Sequence, residues 1–248
     1  MSNYLSFLQE MLLQCNTPLA PLRSAPSETA ELESQVLYGE SVTLLELSQK
    51  DWIRIRNEDD GYEGWTDRKH FIEFTETKSS LSVDLINPVR TGEGLKFIPF
   101  GSKIGKLDSL MDGSNGFTTE PYNVEKVIHF ARRFENAPYL WGGKTILGID
   151  CSGYMQLIHK PFGIDLPRNA SQQALTGTEV IFEERKAGDI AFFVNDNGKV
   201  VHVGILADPD HIWHASGCVR LDGFNSEGIL NKDTELISHK LFCIKRIV

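Results

Sequence analysis

Apolar positions along this chain change their period partway. From residue 16 to about 75 they alternate with polar ones in short runs broken by Gly, Asn and Asp. Ser41-Val-Thr-Leu-Leu-Glu-Leu47 and Trp52-Ile-Arg-Ile-Arg56 carry the two-residue period of half-buried strands, and Val36-Leu37, Gly64-Trp65 and Phe71-Ile72 mark three more. Such strands predict a small β-barrel, with Trp52 and Trp65 as core indoles. From Tyr122 the period lengthens. Val124, Val127, Ile128, Ala131 and Phe134 share a helical face that ends before Pro138, and a second amphipathic run spans Cys151 to His159. Gly188 to Val194, Val200 to Leu206, Ile212 to Gly217 and Leu241 to Ile247 then read as strands. Helices followed by an antiparallel sheet predict an α+β domain.

Two stretches are less patterned. Residues 3 to 14 have the spacing of a short amphipathic helix. Between 76 and 120, Leu81 to Ile86 and Lys96 to Phe100 are strand-like, with turn signals at Pro88, Gly101-Ser102 and Asp112 to Gly116. The expected organisation is an N-terminal extension (1–15), a barrel (16–75), a linker or partial second barrel unit (76–120), and an α+β domain (121–248).

Composition narrows the function classes. With 248 residues, 41% hydrophobic and 24% charged, the chain is an ordinary soluble globular sequence. Its net charge of −9 argues against non-specific nucleic-acid binding, which needs a basic face. No apolar run approaches the roughly 20 residues that span a bilayer, so neither a nucleic acid nor a membrane is an expected partner. Cys15, Cys151, Cys218 and Cys243 form no CxxC pair and suit a reduced compartment. Leu12-Leu-Gln-Cys15 resembles a lipoprotein cleavage box, but Gln14 is not small, Glu10 interrupts the apolar stretch and no Lys or Arg precedes it. A cytoplasmic location is expected.

The candidate chemistry centres on Cys151. Asp150 and Ser152 sit where a helix N-cap is expected, which puts the thiol at a helix N-terminus, where free N–H groups and the dipole favour a thiolate. A small apolar core residue is the alternative. A nucleophilic thiol needs a base, and the base needs a third group to hold its tautomer. His202 and His214 lie in separate apolar strands twelve residues apart, joined by the turn-rich Ala207-Asp-Pro-Asp-His211. Antiparallel pairing can set the imidazoles side by side, His202 as base and His214 as orienting group. A Cys/His/His zinc site is a competing reading, without the short ligand spacings of structural sites. The remaining histidines, His70, His129, His159, His211 and His239, read as surface or loop residues.

Two resemblances sharpen this picture. Ser34-Gln-Val-Leu-Tyr-Gly-Glu40, Asp51-Trp52 and Asp60-Gly-Tyr-Glu-Gly-Trp65 resemble a bacterial SH3 (SH3b) domain. Tyr139-x-Trp-Gly-Gly143, Asp150-Cys-Ser-Gly153, Leu166-Pro-Arg168, Ala187 to Phe193, Val201-His-Val-Gly-Ile205 and His214-Ala-Ser-Gly217 occur in the order of the NlpC/P60 family, papain-like cysteine peptidases of bacterial cell-wall peptides. The resemblance implies Cys151 as nucleophile, His202 as base, His214 in the third position, and Asp189 with Phe192 and Phe193 as scaffold. The SH3b combination resembles the branch of γ-D-glutamyl-L-diamino-acid endopeptidases that recycle murein peptides with a free N-terminal L-Ala. By that likeness Tyr62 reaches the cleft beside Cys151, Asp150 and Glu40 meet the substrate ammonium, and Ser152 contacts its first residues. Asp150 also reads as a simple N-cap. Arg168-Asn169-Ala170 departs from the family, because Ala170 cannot donate a hydrogen bond; Ser171 is its possible substitute. The resemblance implies no cofactor, no metal and no obligate protein partner. Alternatives are a non-catalytic murein-binding protein, or an amidase or acyltransferase of the same fold.

Overall fold

The computed structural model describes residues 11–48, 50–75, 80–106, 108–113 and 116–248. They form two compact units, one of residues 1–119 with 141–146, the other of residues 120–140 and 147–248. Residues 1–10 of the expected N-terminal helix, and Ser114 and Asn115 of the expected turn, lie outside the described residues. Among the described residues no helix is long and apolar enough to cross a membrane.

The first unit is built on an antiparallel sheet of seven strands: β1 (Leu12–Cys15), β2 (Leu19–Arg23), β3 (Leu32–Leu37), β4 (Ser41–Leu47), β5 (Trp52–Asn57), β6 (Glu63–Asp67) and β7 (Phe71–Glu73), in the order β3-β2-β6-β5-β4-β1-β7. Residues 12–15 are therefore a strand of this sheet and not part of a leading helix. Leu13, paired with Val42, joins the core directly. Leu22, Val36, Val42, Ile53, Ile55 and Phe71 fill the rest of that core.

Neither tryptophan is in it. On β5 the inward positions are Ile53 and Ile55, so Trp52 falls on the face of Arg54 and Arg56, and Trp65 pairs with Arg54. The two-residue period of a strand decides this, against the usual preference of indole for the interior.

Residues 80–118 are not a bare linker. Short strands β8 (Ser80–Leu81), β9 (Ile86–Thr91), β10 (Gly94–Pro99), β11 (Lys103–Ile104), β12 (Ser109–Leu110) and β13 (Phe117–Thr118) make two three-stranded sheets. Val89, Ile98, Ile104 and Leu110 pack there with Tyr38. The strand expected over 81–86 is split, with β8 ending at Leu81 and β9 beginning at Ile86.

The segment Trp141–Ile146, with β14 (Lys144–Thr145), also belongs to this unit. Its Gly142 has φ +77°, and a Cβ there would come within 2.7 Å of the Leu32 carbonyl oxygen. The Lys144 N–H donates to Gln35 Oε1 at 2.6 Å. Only glycine accommodates both the positive φ and that approach.

The second unit begins with α1 (Val124–Arg133), capped by Asn123, whose side chain accepts from the Lys126 N–H. The short β15 (Gly148–Ile149), α2 (Cys151–His159) and α3 (Ala170–Gln173) follow. Then come β16 (Thr178–Val180), β17 (Ile190–Val194), β18 (Val200–Asp208), β19 (His211–Ser216), β20 (Cys218–Asn225), β21 (Gly228–Leu230) and β22 (Ile237–Arg246), ordered β16-β22-β17-β18-β19-β20-β21. The α+β expectation holds in coarse form, with helices ahead of an antiparallel sheet. The sheet is closed, however: β22 pairs with β21 as well as β17. Phe192 and Phe193 are fully buried, and Asp189 is clamped by Arg246 at 2.8 and 2.9 Å, so the scaffold roles expected of them are realised.

Candidate active site

Cys151 is the first residue of α2, and Asp150 is its N-cap, its carboxylate accepting from the Gly153 N–H at 2.7 Å. The cap does more than close the helix. Arg168 forms a two-pronged ion pair with Asp150, Nη1 to Oδ1 at 3.0 Å and Nη2 to Oδ2 at 2.5 Å, and Nη1 also donates to Ser152 Oγ at 2.9 Å. All three residues are buried. The sequence placed Asp150 and Ser152 at the substrate. The structure gives both of them an internal task, and it gives Arg168 a role that the Leu-Pro-Arg motif alone did not reveal. Of the loop residues weighed beside Arg168, Ala170 is buried in α3 and Ser171 is exposed.

The thiol does not rest as the expected thiolate. Burial, reinforced by the negative charge of Asp150, pushes the Cys151 pKa up to about 12, against the opposing pull of the Val203 and Ser152 backbone N–H groups and Arg168. Magnitudes decide the sign. A helix terminus contributes typically about 0.3–1 kcal/mol, less than one pKa unit, whereas desolvation of a buried group is worth up to several. The contact with Val203 places Cys151 beside β18 at the residue following His202.

His202 and His214 are brought together as expected. In the register of β18 and β19, Gly204 faces His214. A Cβ on Gly204 would lie 2.8 Å from the Trp213 carbonyl oxygen and 2.9 Å from the His214 Cβ, so the glycine allows the strands to approach here. His202 Nε2 lies 3.0 Å from His214 Nδ1, with both rings buried. Burial, with the neighbouring His239 and His214, holds the His202 pKa well below its ordinary value.

Three further residues were missed. His239, read from sequence as a surface residue, stacks on His202 with ring centroids 4.1 Å apart. It sits two residues before Leu241, which pairs with Phe193, the strand partner of His202. Burial and His214 lower its pKa to about 4. Asp222 on β20 lies 3.0 Å from His214 Nε2. Tyr139 keeps its proton, since burial and the charges of Cys151 and Asp150 push its pKa up to about 12. An alternation rule applied to Val219 to Phe224 would have found Asp222 on the face of Arg220, the partner of His214. As for zinc, the donors gathered are three imidazoles, His202, His214 and His239, with nitrogens within 4.8 Å of one another. Cys151 is not among them.

In the first unit, Glu40 is fully buried, and its Oε2 accepts from the Leu37 N–H at 2.9 Å and from Asn57 Nδ2 at 3.1 Å. It ties β3 to β5, which corrects its assignment to substrate binding. Tyr62 is half-buried against the barrel core, its N–H held by Asp60 at 2.9 Å. Its hydroxyl bonds to the carboxylate of Glu33, whose pKa burial and the nearby Glu31 raise.

Comparison with known proteins agrees with this arrangement. Residues 136–237 match the NlpC/P60 family, and residues 22–71 match the bacterial dipeptidyl-peptidase SH3 domain. The chain is 30% identical over 215 residues to a gamma-D-glutamyl-L-lysine dipeptidyl-peptidase of Bacillus subtilis, covering 74% of this chain and 72% of that one. It is 27% identical over 247 residues to a protein of the same name from Bacillus cereus, covering 82% and 73%. A crystal structure of an NlpC/P60 family protein from Bacillus cereus superposes with a TM-score of 0.76 at 18% identity, over 95% of this chain and 99% of that one, a likeness of fold. With a thiol at the head of a helix, a buried histidine pair on adjacent strands, and relatives that share most of its length, this chain belongs to the NlpC/P60 family and is a cysteine peptidase with a bacterial SH3 domain ahead of the peptidase domain.

Proposed function

We propose that the protein hydrolyses the bond between γ-D-glutamate and the diamino acid of peptidoglycan-derived peptides that carry a free N-terminal L-alanine. The observation that carries the reading is the His202–His214 pair at 3.0 Å, with His202 on the strand whose Val203 N–H meets the Cys151 sulfur. The names of the two Bacillus relatives support the γ-glutamyl linkage.

The reaction is acyl transfer. Cys151 Sγ loses its proton to His202 and bonds to the γ-carbonyl carbon, and the carbonyl oxygen gathers charge. The Cys151 backbone N–H, the first of α2 and so without an intrahelical acceptor, and the protonated Tyr139 hydroxyl are the donors assigned to it. The C–N bond then breaks as the amine nitrogen takes the proton from His202. A water molecule, deprotonated by the same ring, attacks the thioester and releases the free γ-carboxylate.

A desolvated ammonium needs an opposite charge. Glu40 is enclosed and Asp150 is ion-paired with Arg168, and the likeness of the Asp60-Gly-Tyr-Glu-Gly-Trp65 loop to the γ-D-glutamyl-L-diamino-acid endopeptidase branch assigns amine selectivity to Tyr62. Four free cysteines, two of them partly exposed, support a reducing and therefore cytoplasmic setting, where peptides of this kind are recycled.

The test is product analysis with L-Ala-γ-D-Glu-diamino-acid peptides, free and N-acetylated, in L-Lys and meso-diaminopimelate forms. Cys151→Ala should abolish release of the diamino acid, and Tyr62→Phe should narrow the preference for the free amine. Undiminished turnover by Cys151→Ala would end the catalytic reading. An unchanged preference in Tyr62→Phe would end the selectivity reading.

A further inference from the structure

His214 has two neighbours. Nδ1 is 3.0 Å from His202 Nε2, and Nε2 is 3.0 Å from Asp222 Oδ2. His202, His214 and Asp222 are all buried. Asp222 is itself clamped: Arg220 Nη2 donates to Oδ1 at 2.9 Å, Arg220 Nε lies 2.8 Å from Oδ2, and the Lys232 N–H donates to Oδ1 at 3.3 Å. Asp233 holds the outer side of Arg220 at 2.6 Å.

These contacts fix protons as well as positions. An ionised carboxylate only accepts hydrogen bonds. His214 must then donate through Nε2, and a neutral imidazole that donates there accepts through Nδ1. His202 therefore donates through Nε2, which leaves its Nδ1 with the free lone pair. A base needs that lone pair. With no acceptor at Asp222, His214 is free to take the opposite tautomer and donate to His202. That would protonate His202 at Nδ1 and disable it.

We propose that Asp222 is a positioning residue of the catalytic site, the end of a Cys151–His202–His214–Asp222 relay that sets the tautomers of both imidazoles and stabilises the imidazolium formed on His202. The inference rests on the reading of Cys151 as nucleophile and His202 as base. No proton passes to Asp222. The proton taken from Cys151 stays on His202 until the leaving amine receives it. The other titratable group facing the pair is His239 on β22, with its ring centroid 4.1 Å from that of His202 and 5.7 Å from that of His214. Its lowered pKa keeps it neutral at pH 7, so it adds no competing charge.

The test pairs spectroscopy with kinetics on the full chain. In long-range ¹H–¹⁵N spectra of the ring nitrogens, wild type should show both His202 and His214 protonated at Nε2 and bare at Nδ1. Asp222→Ala should lose at least about 100-fold in kcat, with KM within about twofold, in line with the loss on disturbing a triad orienter. Asp222→Asn keeps an acceptor without the charge. Its amide can also donate to His214, so it should lose in kcat as the Ala variant does, and it should shift the acidic limb of the pH–kcat/KM profile to lower pH, because the imidazolium is less stabilised. A purely structural aspartate would not move that limb. A wild-type His214 protonated at Nδ1, or wild-type kcat in Asp222→Ala, would overturn the proposal. Should Asp222→Ala fail to fold, the wild-type spectrum and the Asp222→Asn profile decide. Turnover surviving in Cys151→Ala would instead refute the nucleophile assignment and leave the tautomer result standing.

Discussion

The helix that carries the nucleophile is also a site of acid sensitivity. His159, its last residue, is fully buried, its Nδ1 bonded to the Met155 carbonyl at 2.8 Å and its ring stacked on Tyr122. Burial lowers its pKa from 6.5 to about 4. The sign follows from linkage. Above pH 6.5 the ring is neutral in both folded and unfolded chains and costs nothing. Between 6.5 and 4 the unfolded chain binds a proton that the native one cannot, so stability falls as pH falls, and the loss levels off once the native ring protonates. The full span is about 3 kcal/mol at 1.36 kcal/mol per unit, and between pH 7 and 4.5 roughly 2 kcal/mol of it is expressed. His159→Leu is close in volume and cannot titrate. Hydrogen exchange of peptides covering α2, in urea at pH 7 and at pH 4.5, measures local opening without assuming that the two units unfold together. His202 and His239 titrate in the same direction, so the decisive quantity is the difference in pH dependence between wild type and variant. Wild type should lose roughly 2 kcal/mol more protection than His159→Leu on going to pH 4.5. Equal losses would refute the assignment of this acid sensitivity to His159.

Three further predictions concern the same unit. Arg168→Met removes the two-pronged ion pair of the buried Asp150, so a loss of about 3–5 kcal/mol in urea unfolding is expected, and adding Asp150→Asn should recover a substantial part of it. Gly204→Ala drives a methyl against Trp213 and His214, and kcat should fall about 10- to 100-fold with KM little changed, as for a misplaced catalytic group. Because the resting thiol is neutral, alkylation of Cys151 by iodoacetamide should keep accelerating with pH above 8; a rate already flat from pH 5 upward would show a resting thiolate instead.

What the sequence revealed, and what it hid, divides along a physical line. Local periodicity located β4, β5, α1 and α2 within a residue or so, because each carries its own apolar period over several positions. His202 and His214 were readable because each stands in an apolar strand where its polarity is unexpected, and Cys151 because Asp150 and Ser152 mark the helix N-terminus it occupies. β20 and β21 were missed. Cys218 to Leu230 mixes charges and glycines, and its strands are set by long-range pairing, β20 along β19 and β21 against β22. Asp222 and His239 were lost with that closure, since each reaches the histidine pair across strands and not along one. Trp52 and Trp65 were misplaced for the opposite reason: residue type was allowed to outweigh the alternation that Ile53 and Ile55 had already set.

Glu40 and Asp150 show why the charged residues were hardest to assign. A carboxylate near a site has the same appearance in sequence whether it meets a substrate or a backbone N–H. The difference lies in partners supplied from elsewhere, Leu37 and Asn57 for one, Gly153 and Arg168 for the other. Asp150 further shows that one residue can do two opposed things. As a cap it organises the helix that presents the thiol, and as a charge it raises the pKa of that thiol. Arg168 reconciles the two. It opposes part of the field that Asp150 imposes on the sulfur while holding the cap in place, so an arginine eighteen residues away in sequence helps decide how readily Cys151 ionises.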